Sequence, residues 1–189
     1  MREKIINAGI NLFDDKGFTE TSVQEIVDQI GVTKGTFYYY FESKQDLLKE
    51  IILLYVDDLI LQQEAILANY EKSYSRKLED IVHMVISNIR SKKRCARIFF
   101  REMRHLSDQD LRKIKIRRNA FRVNYQKMVQ AGITNGEFSD SFNPDMLTFG
   151  LLGITNWSYY WYNPNGEVSE EVLTDNFVNL IMNGISNNN

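Results

Sequence analysis

A nine-residue stretch of this 189-residue chain, TKGTFYYYF at residues 33–41, concentrates side chains that donate or accept hydrogen bonds. Its polar groups are two threonine hydroxyls, three phenols and the Lys34 ammonium. Gly35 has no side chain, so another molecule can come close to the backbone at that point. These groups suit a partner that is rich in acceptor or anionic oxygens. Whether they can act together depends on the element that carries them.

The flanking residues predict that this stretch is helical, although threonine and aromatic residues are strand-prone. Residues 23–30 carry apolar side chains at i, i+3, i+4 and i+7, which indicates a helix with one buried face. Gly31 ends that helix, and Thr33 can cap the next one. On this third helix, Phe37 and Phe41 are one turn apart and face the core. Two helices joined by a glycine-bearing turn make a helix-turn-helix.

With both phenylalanines inward, the opposite face of the third helix points outward and carries small, aromatic and hydroxyl-bearing residues. That face suits the major groove of DNA, where phosphate contacts position a protein and contacts to base edges select a sequence. The helix N-terminus also suits a phosphate. We therefore predict DNA contacts from Thr33, Lys34, Gly35, Thr36, Tyr38, Tyr39 and Lys44.

The charge of the N-terminal segment leaves an alternative open. Residues 1–50 carry six Lys/Arg against nine Asp/Glu, so DNA affinity must come from charge placement, with Arg2, Lys4, Lys34 and Lys44 on one side. We expect weak non-specific binding and a modest salt dependence. The alternative is a small-molecule-binding helical protein whose N-terminal head serves protein interaction.

The rest of the chain shows one helical pattern after another and no convincing β-alternation. A fourth helix begins after Ser43, and further patterns cover about 76–91, 95–105, 109–135, 144–162 and 170–185. We predict an all-α fold of about nine helices. A three-helix DNA-binding domain spans residues 1–45, and a larger helical domain for effector binding and dimerisation spans residues 46–189.

The N-terminal residues resemble the TetR-type transcriptional regulators, through AGINLFDDKGFTETSVQEIVDQIGVTKGTFYYYFESKQDLL. The resemblance implies a homodimeric repressor that reads a palindromic operator in double-stranded DNA and is released by a small apolar effector. By position it implies DNA contacts from the residues named above and also from Thr21 or Ser22. This sequence departs from the pattern at Tyr40, where many relatives have histidine, and Glu42 adds a negative charge near the groove.

A basic segment lies in the middle of the chain, where residues 90–118 hold twelve Lys/Arg against three Asp/Glu. Five arginines from Arg90 onward step by 4, 3, 4 and 3 residues, so they share one helical stripe if the phase survives a break near 91–95. Arginine binds phosphates bidentately. One interpretation is that the stripe holds the phosphates of an effector such as coenzyme A, through Arg94, Arg97, Arg101 and Arg104. The other is a solvated basic face, balanced by acidic helices or adding attraction toward DNA.

An aromatic segment near the C-terminus supports a related prediction. Trp157, Tyr160 and Trp161 could line an apolar effector cavity, or they could be core or dimer contacts. The segment GLLGITNWSYYWYNPNG, residues 150–166, is similar to the eighth helix of TetR-type regulators that sense acyl-CoA thioesters. The resemblance makes a fatty acyl-CoA the candidate effector.

The last two helices carry small and apolar residues that could pair across a two-fold axis in a four-helix interface. No Lys or Arg follows Lys127, which agrees with this end of the chain pointing away from DNA. The predicted dimer-interface residues are Gly150, Gly153, Leu173, Phe177, Leu180, Ile181 and Gly184.

Other kinds of chemistry find no support in the sequence. His83 and His105 lie in no metal-ligand spacing, Cys95 has no adjacent base, and no glycine-rich phosphate loop occurs. We therefore predict no enzyme activity, no metal site and no cofactor. One cysteine excludes an internal disulfide, the N-terminus is not a signal peptide, and residues 146–166 make a poor membrane span. These features predict a cytoplasmic protein.

Overall fold

The computed structural model describes residues 1–185, and its elements are α-helices and one 3-10 turn. The helices are α1 (Arg2–Lys16), α2 (Val23–Gln29), α3 (Lys34–Tyr40), α4 (Lys44–Leu67), α5 (Tyr74–Glu102), α6 (Asp108–Thr134), α7 (Pro144–Trp161) and α8 (Glu170–Ile185), with the 3-10 turn at Met103–His105. The predicted all-α fold is confirmed. None of these helices combines the length and the apolar character that crossing a membrane requires.

Gly17 ends α1 by adopting a φ of 91°, and its N–H donates to the carbonyl of Phe13 at 3.0 Å. This left-handed conformation favours glycine. The chain then turns back, so that the ring of Phe18 packs edge-on against the ring of Phe13 with centroids 5.4 Å apart. The glycine cap and this hydrophobic contact together fix the turn after α1.

Reciprocal hydrogen bonds fix the start of α2. The Ser22 hydroxyl accepts from the backbone N–H of Glu25 at 3.2 Å, and the Glu25 carboxylate accepts from the backbone N–H of Ser22 at 2.8 Å. Helix α3 begins in a similar way, because the Thr33 hydroxyl accepts from the N–H of Thr36 at 3.3 Å. Both short helices therefore have their first turns defined by side-chain caps, and the cap at Thr33 agrees with the sequence prediction.

Helix α5 is interrupted at Lys92, whose φ of −130° and ψ of 19° are not helical. The interruption falls inside the break predicted near residues 91–95. When its two parts are counted separately, the described residues contain nine α-helical segments, as the sequence predicts.

The chain forms two compact units. The first contains Met1–Asp57 and Lys92–Arg117, and its core includes Phe13 and Phe37, both fully buried. The second contains Asp58–Ser91 and the residues from Arg118 onward, with Tyr125 and Val129 in its core. Their boundaries fall within α4, α5 and α6. The division between a DNA-binding and an effector-binding domain at residue 45 concerns function and stays a prediction.

Candidate nucleic-acid interface

Helix α3 buries one face and exposes the other, as its spacing predicts. Phe37 and Phe41 are 0% and 2% exposed, so both rings lie in the core of the first unit. On the opposite face, Tyr39 is 81% exposed, Tyr38 is 54% exposed and Gly35 is open to solvent. Burial of the two phenylalanines outweighs the strand propensity of the tyrosines, and it sets which residues a partner can reach.

The first turn of α3 adds hydrogen-bonding groups to this outer face. Thr33 and Lys34 are exposed and Thr36 is half-buried, and the two threonine hydroxyl oxygens lie 3.2 Å apart. The Lys34 ammonium has no hydrogen bond or ion pair with any residue that the structure describes. We call this exposed set of Thr33, Lys34, Gly35, Thr36, Tyr38 and Tyr39 the recognition face. A free ammonium, hydroxyls and phenols there can reach base edges and phosphates.

The two predicted DNA contacts that precede α2 differ in their exposure. Ser22 is exposed, although its hydroxyl is engaged in the cap of α2. Thr21 is only 1% exposed, and its hydroxyl donates to the carbonyl of Gly17 at 2.8 Å. Because that hydroxyl already serves the turn after α1, we remove Thr21 from the predicted DNA contacts and keep Ser22.

The Lys44 ammonium is occupied within the first unit. It donates to the carbonyls of Phe18 at 2.7 Å and Thr21 at 2.5 Å, and it lies 4.3 Å from the centroid of the Phe18 ring. Burial lowers the pKa of the Lys44 ammonium. A phosphate contact from Lys44 stays a prediction, and it would have to replace one of these bonds. What the structure itself gives Lys44 is a role in tying the start of α4 to the connection between α1 and α2.

The arginine stripe on the second part of α5 meets α1. Arg97 binds the Asp14 carboxylate in two places, with Nε to Oδ1 at 2.7 Å and a second bond from Nη2 to Oδ2. Arg94 reaches Asn11 and lies 3.8 Å from the same carboxylate. The Asp14 side chain is fully buried, and its hydrogen bonds hold the pKa of the Arg97 guanidinium above the ordinary value. This pair fastens α5 to the helix that supports the recognition face.

The next two arginines of the stripe are Arg101 and Arg104. Arg101 donates to the carbonyls of Phe13 and Asp14 in the last turn of α1, and it also pairs with Glu102. Cations at a helix C-terminus are favourable, because the free carbonyls there carry partial negative charge. Arg104 is exposed and bonds only to His105 among the described residues. Arg94, Arg97 and Arg101 are engaged with α1, so binding of effector phosphates by this stripe stays a prediction and would have to replace some of these bonds.

Helix α7 exposes an apolar stripe on the second unit. Trp157, Tyr160 and Trp161 are 63%, 62% and 51% exposed, so they line no enclosed cavity within the chain. Met146 and Phe149, 61% and 51% exposed, extend the stripe toward the helix start. Neither residue was predicted, although Met146 lies four residues before Gly150 and Phe149 lies four residues before Gly153, on the same side of the helix. Such a surface is typical of a region that a partner covers.

The predicted dimer residues fall into two groups. Gly150, Gly153, Leu180 and Gly184 are exposed and Phe177 is half-buried, so all five can be reached by a partner. The other two, Leu173 and Ile181, are 5% and 4% exposed. They pack inside the chain itself, and their contribution to a dimer interface stays a prediction.

One groove of about 660 Å³ lies on the second unit, along α6 and the start of α5. Tyr74, Val123 and Ala131 give it apolar walls, whereas Gln126, Lys127 and Gln130 supply polar groups. No carboxylate lines the groove, and Lys127 is its one charged residue. These residues were not among the predicted effector contacts. No group of His, Cys, Asp and Glu that could hold a metal ion occurs among residues 1–185.

The fold and the recognition face define a helix-turn-helix protein of the DNA-binding class. The family model described as "Bacterial regulatory proteins, tetR family" matches residues 5–51, and the model described as "Tetracyclin repressor-like, C-terminal domain" matches residues 71–185. The chain therefore belongs to the TetR family of transcriptional regulators.

Relatives match over nearly the whole chain. The HTH-type transcriptional repressor KstR2 of Rhodococcus jostii is 25% identical over 98% of this chain and 91% of its own. A TetR/AcrR-family regulator from Thermobifida fusca is 31% identical, with a TM-score of 0.79 over 97% of each chain. The structure of AibR in complex with isovaleryl coenzyme A and operator DNA has a TM-score of 0.85 and 22% identity, over 95% of this chain and 96% of that one.

Proposed function

We propose that this protein is a ligand-responsive repressor that binds a palindromic operator through the recognition face of α3. The observation that carries the proposal is the division of α3, with Phe37 and Phe41 buried and Tyr39 81% exposed above them. A short helix that is held by its own core and presents a glycine, an ammonium and hydroxyls fits the major groove. Similarity to transcriptional repressors over almost the full chain supports this reading.

Homodimerisation is the second part of the proposal. A palindromic operator requires two heads related by a two-fold axis, with half-sites about 34–36 Å apart. The apolar stripe of α7, together with Leu180 at 63% exposed on α8, offers a surface for a second copy of the chain. Gly150 and Gly153 have no atoms near the positions a Cβ would take, which leaves room for a partner helix.

The third part is an effector that releases the operator. An acyl-CoA is the candidate, supported by the likeness of the fold to AibR, whose structure contains isovaleryl coenzyme A. Three of the four arginines predicted to bind its phosphates are engaged with α1. The groove on the second unit, with its apolar walls and Lys127, is the better candidate for a site. An effector releases DNA only if it binds the two conformations of the protein with different affinity.

Selection of bound duplexes from a random DNA pool tests the DNA-binding proposal. Enrichment of a palindrome is the expected result, and no enrichment at low salt would instead support a head that binds protein. The Tyr39→Ala variant should lose at least tenfold in operator affinity, which corresponds to about 1.4 kcal/mol. Tyr70→Ala is the matched control, because Tyr70 is 94% exposed and lies in the other unit.

The effector proposal has a separate test. Long-chain acyl-CoA should raise the melting temperature and dissociate the protein from its operator, whereas free coenzyme A should do less. Lys127→Gln should weaken the response if the groove holds an anionic part of the ligand. Absence of a response to every acyl chain length would remove the acyl-CoA and leave DNA binding untouched.

A further inference from the structure

The charge of the first unit comes from two stretches of opposite sign. Residues 1–57 contain six Lys/Arg and ten Asp/Glu, a net charge of −4. Residues 92–117 contain ten Lys/Arg and three Asp/Glu, a net charge of +7. The unit that carries the recognition face therefore has a net charge of +3, although the stretch that contains α3 has a negative net charge. A negative surface would repel DNA, so residues 92–117 reverse the sign of the unit.

Most cations of this stretch are used within the protein. Arg94 and Arg97 bind groups of α1, Lys113 lies 3.4 Å from Asp110, and Arg117 lies 3.2 Å from Asp57. Two cations on the first half of α6 remain available.

Those two are Arg112 and Lys115. Both side chains are exposed, and neither has a hydrogen bond or ion pair within the part of the chain that the structure describes. They are three residues apart on one helix, so they lie on the same side of α6.

Contacts within the first unit place the start of α6 beside the first turns of α4, the helix that follows α3 in the chain. The Gln45 side chain donates to the carbonyl of His105 at 3.0 Å, which joins the first turn of α4 to the residues just before α6. Asp110 also helps to raise the pKa of Lys49, although the main cause is the hydrogen bond from Lys49 to Asp46. Helix α4 begins only four residues after α3 ends.

Both cations lie close to the start of α6. Arg112 and Lys115 follow the start of the helix by four and seven residues, about 6 and 10 Å at 1.5 Å per residue. The Debye length is about 10 Å at 0.1 M salt and lengthens as the salt concentration falls, so at low salt these two charges contribute to the field that an approaching duplex meets.

We propose that Arg112 and Lys115 draw DNA toward the recognition face by long-range attraction, without reading its sequence. The inference rests on the proposed DNA binding and names the residues outside the helix-turn-helix that assist it. Attraction of this kind raises the association rate and makes it depend on salt, and it leaves the dissociation rate of the bound complex almost unchanged.

Stopped-flow association with the selected operator tests this role. The Arg112→Gln/Lys115→Gln variant should associate about three- to tenfold more slowly at 50 mM salt, and the difference should shrink toward none at 0.5 M. The matched control is Lys72→Gln/Arg76→Gln, which removes the same charge from the other unit. Lys72 and Arg76 make only surface ion pairs, so their replacement costs little stability.

The outcomes separate this inference from the proposed function. If the wild-type protein binds its operator and both double variants associate at the wild-type rate, the steering role is refuted and DNA binding stands. A faster dissociation with unchanged association would also refute it, because it would show a direct contact. Absence of any operator for the wild-type protein would overturn both proposals. The sequence preference of the Arg112→Gln/Lys115→Gln variant should equal that of the wild type.

Discussion

Replacing Arg97 with glutamine should destabilise the protein, because it leaves the buried Asp14 carboxylate without its main partner. Arg97 supplies two hydrogen bonds to Asp14, whose side chain is fully buried, while the arginine itself is 45% exposed. Water therefore reaches one member of the pair and not the other. The loss of stability therefore comes from the buried carboxylate that is left unpaired, and not from the removal of the arginine itself.

The size of the effect follows from these exposures. Removing one partner of a fully buried pair costs about 3–5 kcal/mol, but solvent screens the half-exposed Arg97. Arg94, at 3.8 Å from the same carboxylate, compensates in part. We therefore expect about 2 kcal/mol for Arg97→Gln, or a melting temperature lower by roughly 4–8 °C in a chain of this size.

A double-mutant cycle with Asp14→Asn isolates the pair. Urea unfolding of the four proteins, at equal protein concentration, should give a coupling free energy of about 1–2 kcal/mol. Arg104→Gln is the control from the same stripe, since Arg104 has no carboxylate partner within residues 1–185, and it should stay within about 0.5 kcal/mol of the wild type. Coupling below about 0.3 kcal/mol would show that the buried carboxylate does not depend on Arg97.

Three further predictions concern the N-terminal unit. Phe37→Ala should cost about 3–5 kcal/mol and abolish operator binding, because the ring is fully buried beneath the recognition face; hydrogen exchange of α3 measures the loss. Lys44→Met should lower the melting temperature by removing the ammonium that donates to the carbonyls of Phe18 and Thr21, and an unchanged melting temperature would contradict the importance of these bonds. Hydrogen bonds from Lys16 and from Ser22 lower the pKa of Glu25 to about 2. Because folding lowers this pKa, the stabilisation of the α2 cap is complete above pH 4.5, the unfolded value, and is lost as the pH falls through about 2. NMR titration of the Glu25 carboxyl group measures this pKa.

The sequence predicts the helix-turn-helix well because its signals are local. The cap at Thr33, the glycine stop at Gly31 and the spacing of Phe37 and Phe41 each depend on residues within one or two turns. Local hydrogen bonds and one buried stripe are enough to define the head and its outward face.

The arginine stripe shows what local patterns do not contain. Its spacing correctly places Arg97 and Arg101 on one side of a helix, but their partners on α1 lie more than 80 residues away in the chain. Asp14 gives no signal as a buried acid, since the sequence shows it beside Asp15 in a charged stretch. The same holds for Leu173 and Ile181, because their burial depends on which other elements pack against α8, and local sequence does not contain that information.

The exposed stripe of α7 also has a practical consequence. Trp157 and Trp161 are the only tryptophans of the chain, and both side chains are more than half open to solvent. The tryptophan fluorescence of the native protein therefore originates from this one helix. The emission maximum would shift to shorter wavelength when a second polypeptide covers α7. A dilution series can therefore follow subunit pairing without an attached dye.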